Sequence, residues 1–473
     1  YPHLFIDEEA ARKFDLKVYS PAQRAAMLDT SIARLAGMQA PNGGFSLWGN
    51  HGEYEYWLSA YVTHFLNDAR EQGFAVPAEM EKKALEFLLK GLQEGVATLP
   101  RGPLRYNRNS TWSDWRYAGS GRFGVLAYGA YVLALHGRAP LATLRQLAES
   151  SEQSHSGLAL VHLGLALKLM GDEPRSQASI DAALKKPRDN RYWWGDYGST
   201  LRDSALMYVL LKKHKLAPEG LNTLVDIAAG ELEKTRYLST QERMAAFLLG
   251  QDFARSDGNG WQASLMQGKS SQTLSGKGMQ FMAIENTALT RGIKLTNTDT
   301  SRLFVSLELT GNPAKPPPMR SDAFALKRSW YTADGKPLGE RPLRVGESLL
   351  LRLEVTTHGD YANAMIVDYI PAGIEIENTN IIQSEQNELR IDNISVSHAM
   401  QDARIKHVEF RDDRFVVAAR LSPGTTHFFY RARVVTPGRF IVPPSYAEDM
   451  YQPAIYGLSM EKESIRISDG EKH

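Results

Sequence analysis

Residues 42–61 read NGGFSLWGNHGEYEYWLSAY, and this stretch decides the fold of the first half of the chain. Gly43 and Gly44 can take backbone angles closed to residues with a side chain, so a tight turn is expected there. An aromatic loop follows. From Tyr56 the apolar positions Trp57, Leu58, Tyr61, Val62, Phe65 and Leu66 fall at helical spacing around most of the circumference. A helix apolar on that many sides is buried on more than one of them.

Outward from this helix the same kind recurs. Strongly apolar helices are predicted at 56–69, 122–135, 157–170, 201–211 and 241–249. Amphipathic helices with a charged face alternate with them, at 21–38, 77–92, 141–149, 175–184 and 221–232. Local signals mark the ends. Ser20-Pro21-Ala22-Gln23 and Ser239-Thr240-Gln241-Glu242 read as capping boxes, and Asp172 before Pro174 reads as an N-cap. Gly73, Gly95, Gly137 and Gly171 read as stops. After the first pair the apolar helices start about 40 residues apart, one helical hairpin per repeat. Such alternation describes either an open right-handed solenoid or a closed two-layer α/α toroid, and periodicity does not choose between them.

After Gly260 the pattern changes to period two. Residues 302–309 are a strand candidate, and 312–318, with three consecutive prolines, read as a stiff linker. Further strands are predicted at 325–331, 348–356, 364–370, 407–411, 414–420 and 426–435, with turns at 333–336 and 412–413. Strands so spaced, joined by tight turns, suggest an antiparallel β-sandwich. The domain reading is therefore 1–260 helical, 261–318 a small β portion with linker, and 319–473 a β-sandwich.

Composition narrows the function. A chain of 473 residues exceeds one compact core. Its 55 basic and 54 acidic residues leave a formal charge of +1, which gives no reason to expect a nucleic-acid or membrane-surface partner. There is no cysteine, which removes thiol nucleophiles and thiolate metal sites and suits a cytosolic or bacterial periplasmic protein. The 12 histidines show no H-E-x-x-H or H-x-H spacing, so no metal or other cofactor is expected. No G-x-S-x-G and no phosphate-binding loop is present.

Taken in order, NGGFSLW, EYWLSAYV, GSTLRD, IKHVEFRDDRF and MYQP resemble the carboxy-terminal part of bacterial α2-macroglobulins. The resemblance implies an α/α toroid of helical hairpins, the thioester-type domain, followed by antiparallel β-sandwich domains. The segment 261–318 would match the returning half of a CUB domain, and 319–473 the receptor-binding-type domain. The family traps proteases: a bait segment is cut, the domains rearrange, and an internal thioester captures a lysine. The thioester joins a cysteine to a glutamine, so none can exist within this chain. The family places it shortly before the position matching Tyr1, and the abrupt opening suggests that this chain starts just past it; a subgroup without a thioester is the other explanation. Gly43, Gly44, Tyr56 and Trp57 then form the toroid motif near the reactive site. Met450 and Tyr451 match a loop that lies over the thioester and shields it from water. The family further implies foreign proteases and the upstream domains of the same protein as partners. It also implies a periplasmic location, a lipid anchor to the inner membrane and a cell-wall-synthesis partner. The chain itself is expected to be no enzyme.

Two other readings compete. Many α/α toroids are glycan-active enzymes, which need two acids facing one cleft, one of them with a raised pKa. Glu53, Glu55, Asp114, Asp196 and Asp203 lie near the starts of apolar helices, where a toroid's mouth would be, although an ion pair with Arg202 explains Asp203. A structural module lacking any reactive bond is the second. His51 and His64 lie nearest the opening motif, and His64 reads as a partly buried, hydrogen-bonded histidine. The basic-aromatic loops at 101–122 and 188–197 suit sugar or single-stranded nucleic acid by stacking, but with so little net charge they read as packing on the toroid rim.

Overall fold

The structure is a computed structural model. It describes residues 1–13, 16–47, 54–99, 119–190, 195–234, 237–255, 260–277, 280–300, 303, 305–307, 311, 317–339, 341–377, 389–402, 404–459 and 464–469. The chain divides into two compact units, residues 1–234 with 240–309 and residues 310–473 with 235–239.

The first unit is built of paired helices: α1 Pro2–Phe5, α2 Glu8–Lys13, α3 Pro21–Met38, α4 Tyr56–Glu71, α5 Ala78–Ala97, α6 Gly119–Leu135, α7 Leu141–Ala148, α8 Gly157–Leu169, α9 Glu173–Leu184, α10 Thr200–Lys213, α11 Leu221–Lys234 and α12 Thr240–Arg255. End signals act as local chemistry dictates. Ser20 Oγ accepts from the Gln23 amide at 3.2 Å while Gln23 Oε1 accepts from the Ser20 amide at 2.9 Å. Asp172 Oδ1 accepts from the Arg175 amide at 3.4 Å. Gly73, Gly137 and Gly171 follow helix ends at φ of 83°, 64° and 86°. Gly95 is no stop but lies inside α5, where a Cβ would come within 2.5 Å of Leu126 on α6. That glycine serves the close approach of two helices.

The apolar helices make the inner layer. α8 is buried at every residue from Gly157 to Leu167, whereas its outer partner α9 buries only Ser176, Ser179, Ile180 and Ala183. Inner helices follow one another in space, α4 on α6, α6 on α8, α8 on α10 and α10 on α12. The row then closes. Gln251 Nε2 on α12 donates to the Phe5 carbonyl at 3.2 Å, and Lys213 Nζ on α10 reaches Asp68 Oδ1 on α4 at 3.2 Å. These contacts join the ends of the sequence of hairpins, so the helices form a ring and not an open superhelix.

After α12 comes a three-stranded antiparallel sheet in the order β2-β1-β3, from β1 Trp261–Gln267, β2 Ser270–Gly276 and β3 Ile293–Asn297, with α13 Asn286–Arg291 before its last strand. This sheet groups with the helices, not as a part of its own over 261–318. Among the described residues its buried apolar side chains are Ala263, Leu265 and Ala288, too few for an independent core. The strand expected at 302–309 is not formed at Leu303 or at 305–307, the described residues there. Val305 and Leu307 are exposed, so apolar alternation is present without a neighbouring strand to bury it.

The second unit is a sandwich. Its elements are β4 Phe324–Thr332, β5 Leu343–Arg344, β6 Ser348–Thr357, β7 Tyr361–Tyr369, β8 Ile374–Glu377, β9 Arg390–Ile391, β10 Ile394–Ser395, α14 Val396–Met400, β11 Ile405–Phe410, β12 Arg414–Leu421, β13 Gly424–Val434, β14 Gly438–Ile441, β15 Ser445–Asp449, β16 Gln452–Leu458 and β17 Ser464–Ser468. A five-stranded sheet β11-β12-β7-β15-β16 faces a four-stranded sheet β4-β6-β13-β8. Between them Phe324, Leu351, Leu353, Ile366, Phe415 and Phe428 form the core. Strand β6 is buried without interruption from Leu349 to Leu353 because its second face is covered too, by Tyr331, Ile391 and Phe429 around Leu350. Asp392 and Asn393, both at positive φ (49° and 66°), turn the small β9–β10 hairpin beneath which that second cluster sits.

Candidate functional site

The opening motif is knitted into the ring by its backbone. Gly43 sits at φ 90°, and a Cβ there would lie 2.1 Å from the Lys83 carbonyl oxygen on α5. A Cβ on Gly44 would lie 2.9 Å from the Phe87 ring. Both glycines are therefore required, the first by conformation and by space, the second by space. The Phe45 amide donates to Ser59 Oγ at 2.9 Å and the Glu55 amide to the Phe45 carbonyl at 3.0 Å, fixing the entry into α4.

Tyr56 and Trp57 anchor that helix. The Tyr56 hydroxyl donates to the Leu88 carbonyl at 2.8 Å. Its ring lies between Gly91 and Gly129, where a Cβ would come within 2.4 Å of it on either side. Burial pushes the Tyr56 phenol far above its ordinary value. Trp57 stacks on Tyr61 with centroids 5.2 Å apart and meets Tyr197 at 4.6 Å. Tyr197 holds a left-handed φ of 53° and donates a short hydrogen bond to Glu55. A non-glycine residue in that conformation is kept there by its surroundings.

Those surroundings are an ionic knot. Asp196 takes both Arg188 nitrogens at 2.7 and 2.9 Å, His155 Nε2 at 2.9 Å and Arg202 Nη2 at 3.2 Å. Asp203 takes Arg188 Nη1 at 2.8 Å and Arg202 Nη2 at 2.6 Å. The side chains of all five residues are 7% exposed or less. Burial alone would raise the Asp196 pKa, but Arg188, His155 and Arg202 together hold it well below the usual carboxylate range. A general acid needs the opposite shift. Asp196 and Asp203 are thus consumed in structure, and Glu55 is engaged by Tyr197. His51, Glu53, Asp114, residues 101–118 of the first basic-aromatic loop and 191–194 of the second lie outside the described residues. Sequence reasoning gave Arg202 to Asp203 but missed Arg188, eight residues before Asp196, and His155, 41 residues before it.

The middle of the ring holds histidines among tyrosines. His64 Nδ1 lies 3.1 Å from the Tyr128 hydroxyl and its Nε2 3.8 Å from Asp68. His162 stacks on Tyr128 and Tyr131, and Tyr131 bonds His214 Nε2 at 2.9 Å. Burial lowers the pKa of all three histidines. Among the described residues no three His, Cys, Asp or Glu side chains gather in a metal-holding group.

In the second unit the loop expected at Met450 and Tyr451 is the tip of a hairpin. Met450 and Tyr451 form the turn between β15 and β16, both half-buried. The Met450 amide donates to the Asn363 carbonyl at 3.0 Å, and the Tyr451 amide to Asp449 Oδ1 at 3.0 Å. Pro453 sits in β16, the edge strand of its sheet, where a missing N–H is harmless.

Comparison with known proteins agrees with this geometry. Residues 12–100 match the model of the A-macroglobulin TED domain, and 324–454 that of the bacterial alpha-2-macroglobulin MG10 domain. The chain is 36% identical over 466 residues to the alpha-2-macroglobulin of Xylella fastidiosa, covering 97% of this chain and 28% of that protein. It thus spans little more than a quarter of that relative. The crystal structure of native Escherichia coli alpha-2-macroglobulin from domain MG7 to the C-terminus superposes with a TM-score of 0.85 at 34% identity, over 98% of this chain and 71% of that one. Salmonella alpha-2-macroglobulin reacted with methylamine gives 0.82 at 33% identity, over 99% of this chain and 29% of that one. With a closed helical ring, an MG10 sandwich and this degree of identity, the chain belongs to the bacterial alpha-2-macroglobulin family.

Proposed function

We propose that this chain works as part of a protease trap, in which the helical ring presents a reactive acyl group and the β15–β16 turn shields it. The observation that carries the reading is the closed ring, whose candidate catalytic carboxylates Asp196 and Asp203 are locked by two buried arginines. A ring so built has the family's scaffold, and among the described residues its candidate acids are tied up in ion pairs and hydrogen bonds. In this reading the acyl group would lie in a part of the parent protein outside these 473 residues, which contain no cysteine to form it. In the trap, bait cleavage moves the shield away and a protease lysine attacks the thioester; the amine forms an amide with the glutamine carbonyl and the cysteine leaves as thiol. Covalent capture needs no tailored interface, which suits a broad-spectrum inhibitor. The Salmonella relative's reaction with methylamine, the smallest such amine, supports this chemistry.

Gly43, Gly44, Tyr56 and Trp57 would hold the reactive face in shape, and Met450 and Tyr451 would exclude water. The same reading puts the parent in the bacterial periplasm, tethered by lipid to the inner membrane and working beside a cell-wall synthase. Incubation with a trypsin-like protease tests it. The parent protein should yield a covalent adduct on a denaturing gel and the present chain none; an adduct with this chain alone overturns the assignment.

A further inference from the structure

The base and the tip of the β15–β16 hairpin are held by different chemistry. At the base, Ser445 Oγ donates to Asp368 Oδ1 at 2.7 Å, and buried Arg328 neutralises Asp368. At the tip, the ladder shifts register between Glu448 and Asp449, and Asp449 is only 6% exposed. Its Oδ1 accepts the Tyr451 amide at 3.0 Å, and the neighbouring Gln452 amide also favours its charged form. Among the described residues no cation forms an ion pair with this carboxylate. Lys406, on β11, gives its Nζ to Asn363 Oδ1 at 3.2 Å, the side chain of the same residue whose carbonyl holds Met450. On β4, Arg328 is engaged by Asp368 and Lys327 by Glu354. The other titratable groups facing Asp449 are Glu448 on its own strand and Tyr361 on β7.

A buried carboxylate without a cation is costly, and it is tolerated where hydrogen bonds take up its charge. Here the Tyr451 amide, within the turn, donates to it, and the Gln452 amide just after the turn adds its pull. We propose that Asp449 is the positioning residue of the shield: its carboxylate gathers the Tyr451 and Gln452 amides and so fixes the direction in which Met450 and Tyr451 project. This rests on the shielding role proposed above and adds to it the group that sets the shield's geometry. Burial, against the pull of the two amides and aided by Glu448, raises the Asp449 pKa to about 6. In mildly acid solution the acceptor therefore loses its charge and the turn its tightest hold.

Amide hydrogen exchange on this chain tests the claim, with rates taken relative to intrinsic exchange at each pH. Asp449→Ala should lose about tenfold protection at Tyr451 and Gln452, the size of one lost hydrogen bond to a charged acceptor. The Ala447 and Ile366 amides, deeper in the same ladder, should keep theirs. The unsubstituted chain should lose protection at the two tip amides between neutral pH and about pH 5, while Asp449→Asn, which keeps an acceptor and does not titrate, should stay flat. Unchanged protection in Asp449→Ala, or a flat profile for the unsubstituted chain, overturns the proposal. The parent protein separates it from the shielding reading. If Met450→Ala/Tyr451→Ala shortens the thioester lifetime and Asp449→Ala does not, positioning fails. If neither shortens it while the exchange results hold, the shielding reading fails and Asp449 still sets the turn.

Discussion

Asp196 and Asp203 show what a single residue can and cannot disclose. In sequence they are acids near helix starts, open to catalysis or to structure; in the ring two arginines and a histidine settle the matter by surrounding them. GSTLRD made the Arg202–Asp203 pair legible because the partners adjoin. Arg188 and His155 were illegible because neither adjoins its acid in sequence: Arg188 folds back from the start of the loop that carries Asp196, and His155 comes from the turn before α8. Removing one member leaves an uncompensated buried charge, so Asp196→Ala should destabilise the ring by about 3–5 kcal/mol. Urea unfolding followed by helical circular dichroism measures this, and a loss below about 1 kcal/mol would contradict a closed knot. Histidines give the second residue-scale outcome. Burial keeps His64 and His162 below their ordinary pKa, against the pull of Asp68 and Glu71 and with Lys213 and Arg202 opposing protonation. The unfolded chain takes up a proton at each as pH falls through about 6.5, and the native ring does not. Stability is therefore full above that window and falls below it, by up to about 1.4 kcal/mol per pH unit for each histidine. His64→Gln/His162→Gln should flatten the fall; an unchanged slope would place its origin elsewhere.

At the scale of elements, helix starts were legible, helix ends less so where α5 runs on to Ala97 and α12 to Arg255, and strands less again. Capping boxes, N-caps and left-handed glycines act within one turn, so α3 and α9 start where Ser20 and Asp172 require. Strand pairing is settled at long range. The run 302–309 alternates as a strand should, yet Val305 and Leu307 are exposed, whereas SYAED at 445–449 carries two acids and forms an inner strand beside β7. Its acids are tolerated because Asp449 finds amides and Glu448 binds the Tyr446 hydroxyl at 2.5 Å. Glycines give a paired prediction. Gly43→Ala meets both a left-handed φ and the Lys83 carbonyl, and should cost about 2 kcal/mol or more. Gly37→Ala, inside α3 with nothing within 4 Å of a Cβ, should be neutral or stabilising by up to about 1 kcal/mol. Thermal unfolding of the two variants checks the contrast, and equal melting temperatures would contradict the packing described at the opening motif.

At the scale of the whole molecule, ring closure is the property that periodicity left open, because a solenoid and a toroid share one hairpin repeat. It is decided by a few side chains, Gln251 to Phe5 and Lys213 to Asp68, between helices far apart in sequence. The proposed function belongs to the same scale, since the turn proposed as a shield lies in the second unit and the ring in the first. Replacing Met450 and Tyr451 by alanine in the parent should hasten loss of the thioester in buffer, and an unchanged lifetime would reject the shielding role. The most direct measurement is the stoichiometry of labelled methylamine bound covalently by the parent protein and by this chain. One label per native parent and none on the present chain is the predicted result; a parent that takes up no label would contradict the account of an acyl trap.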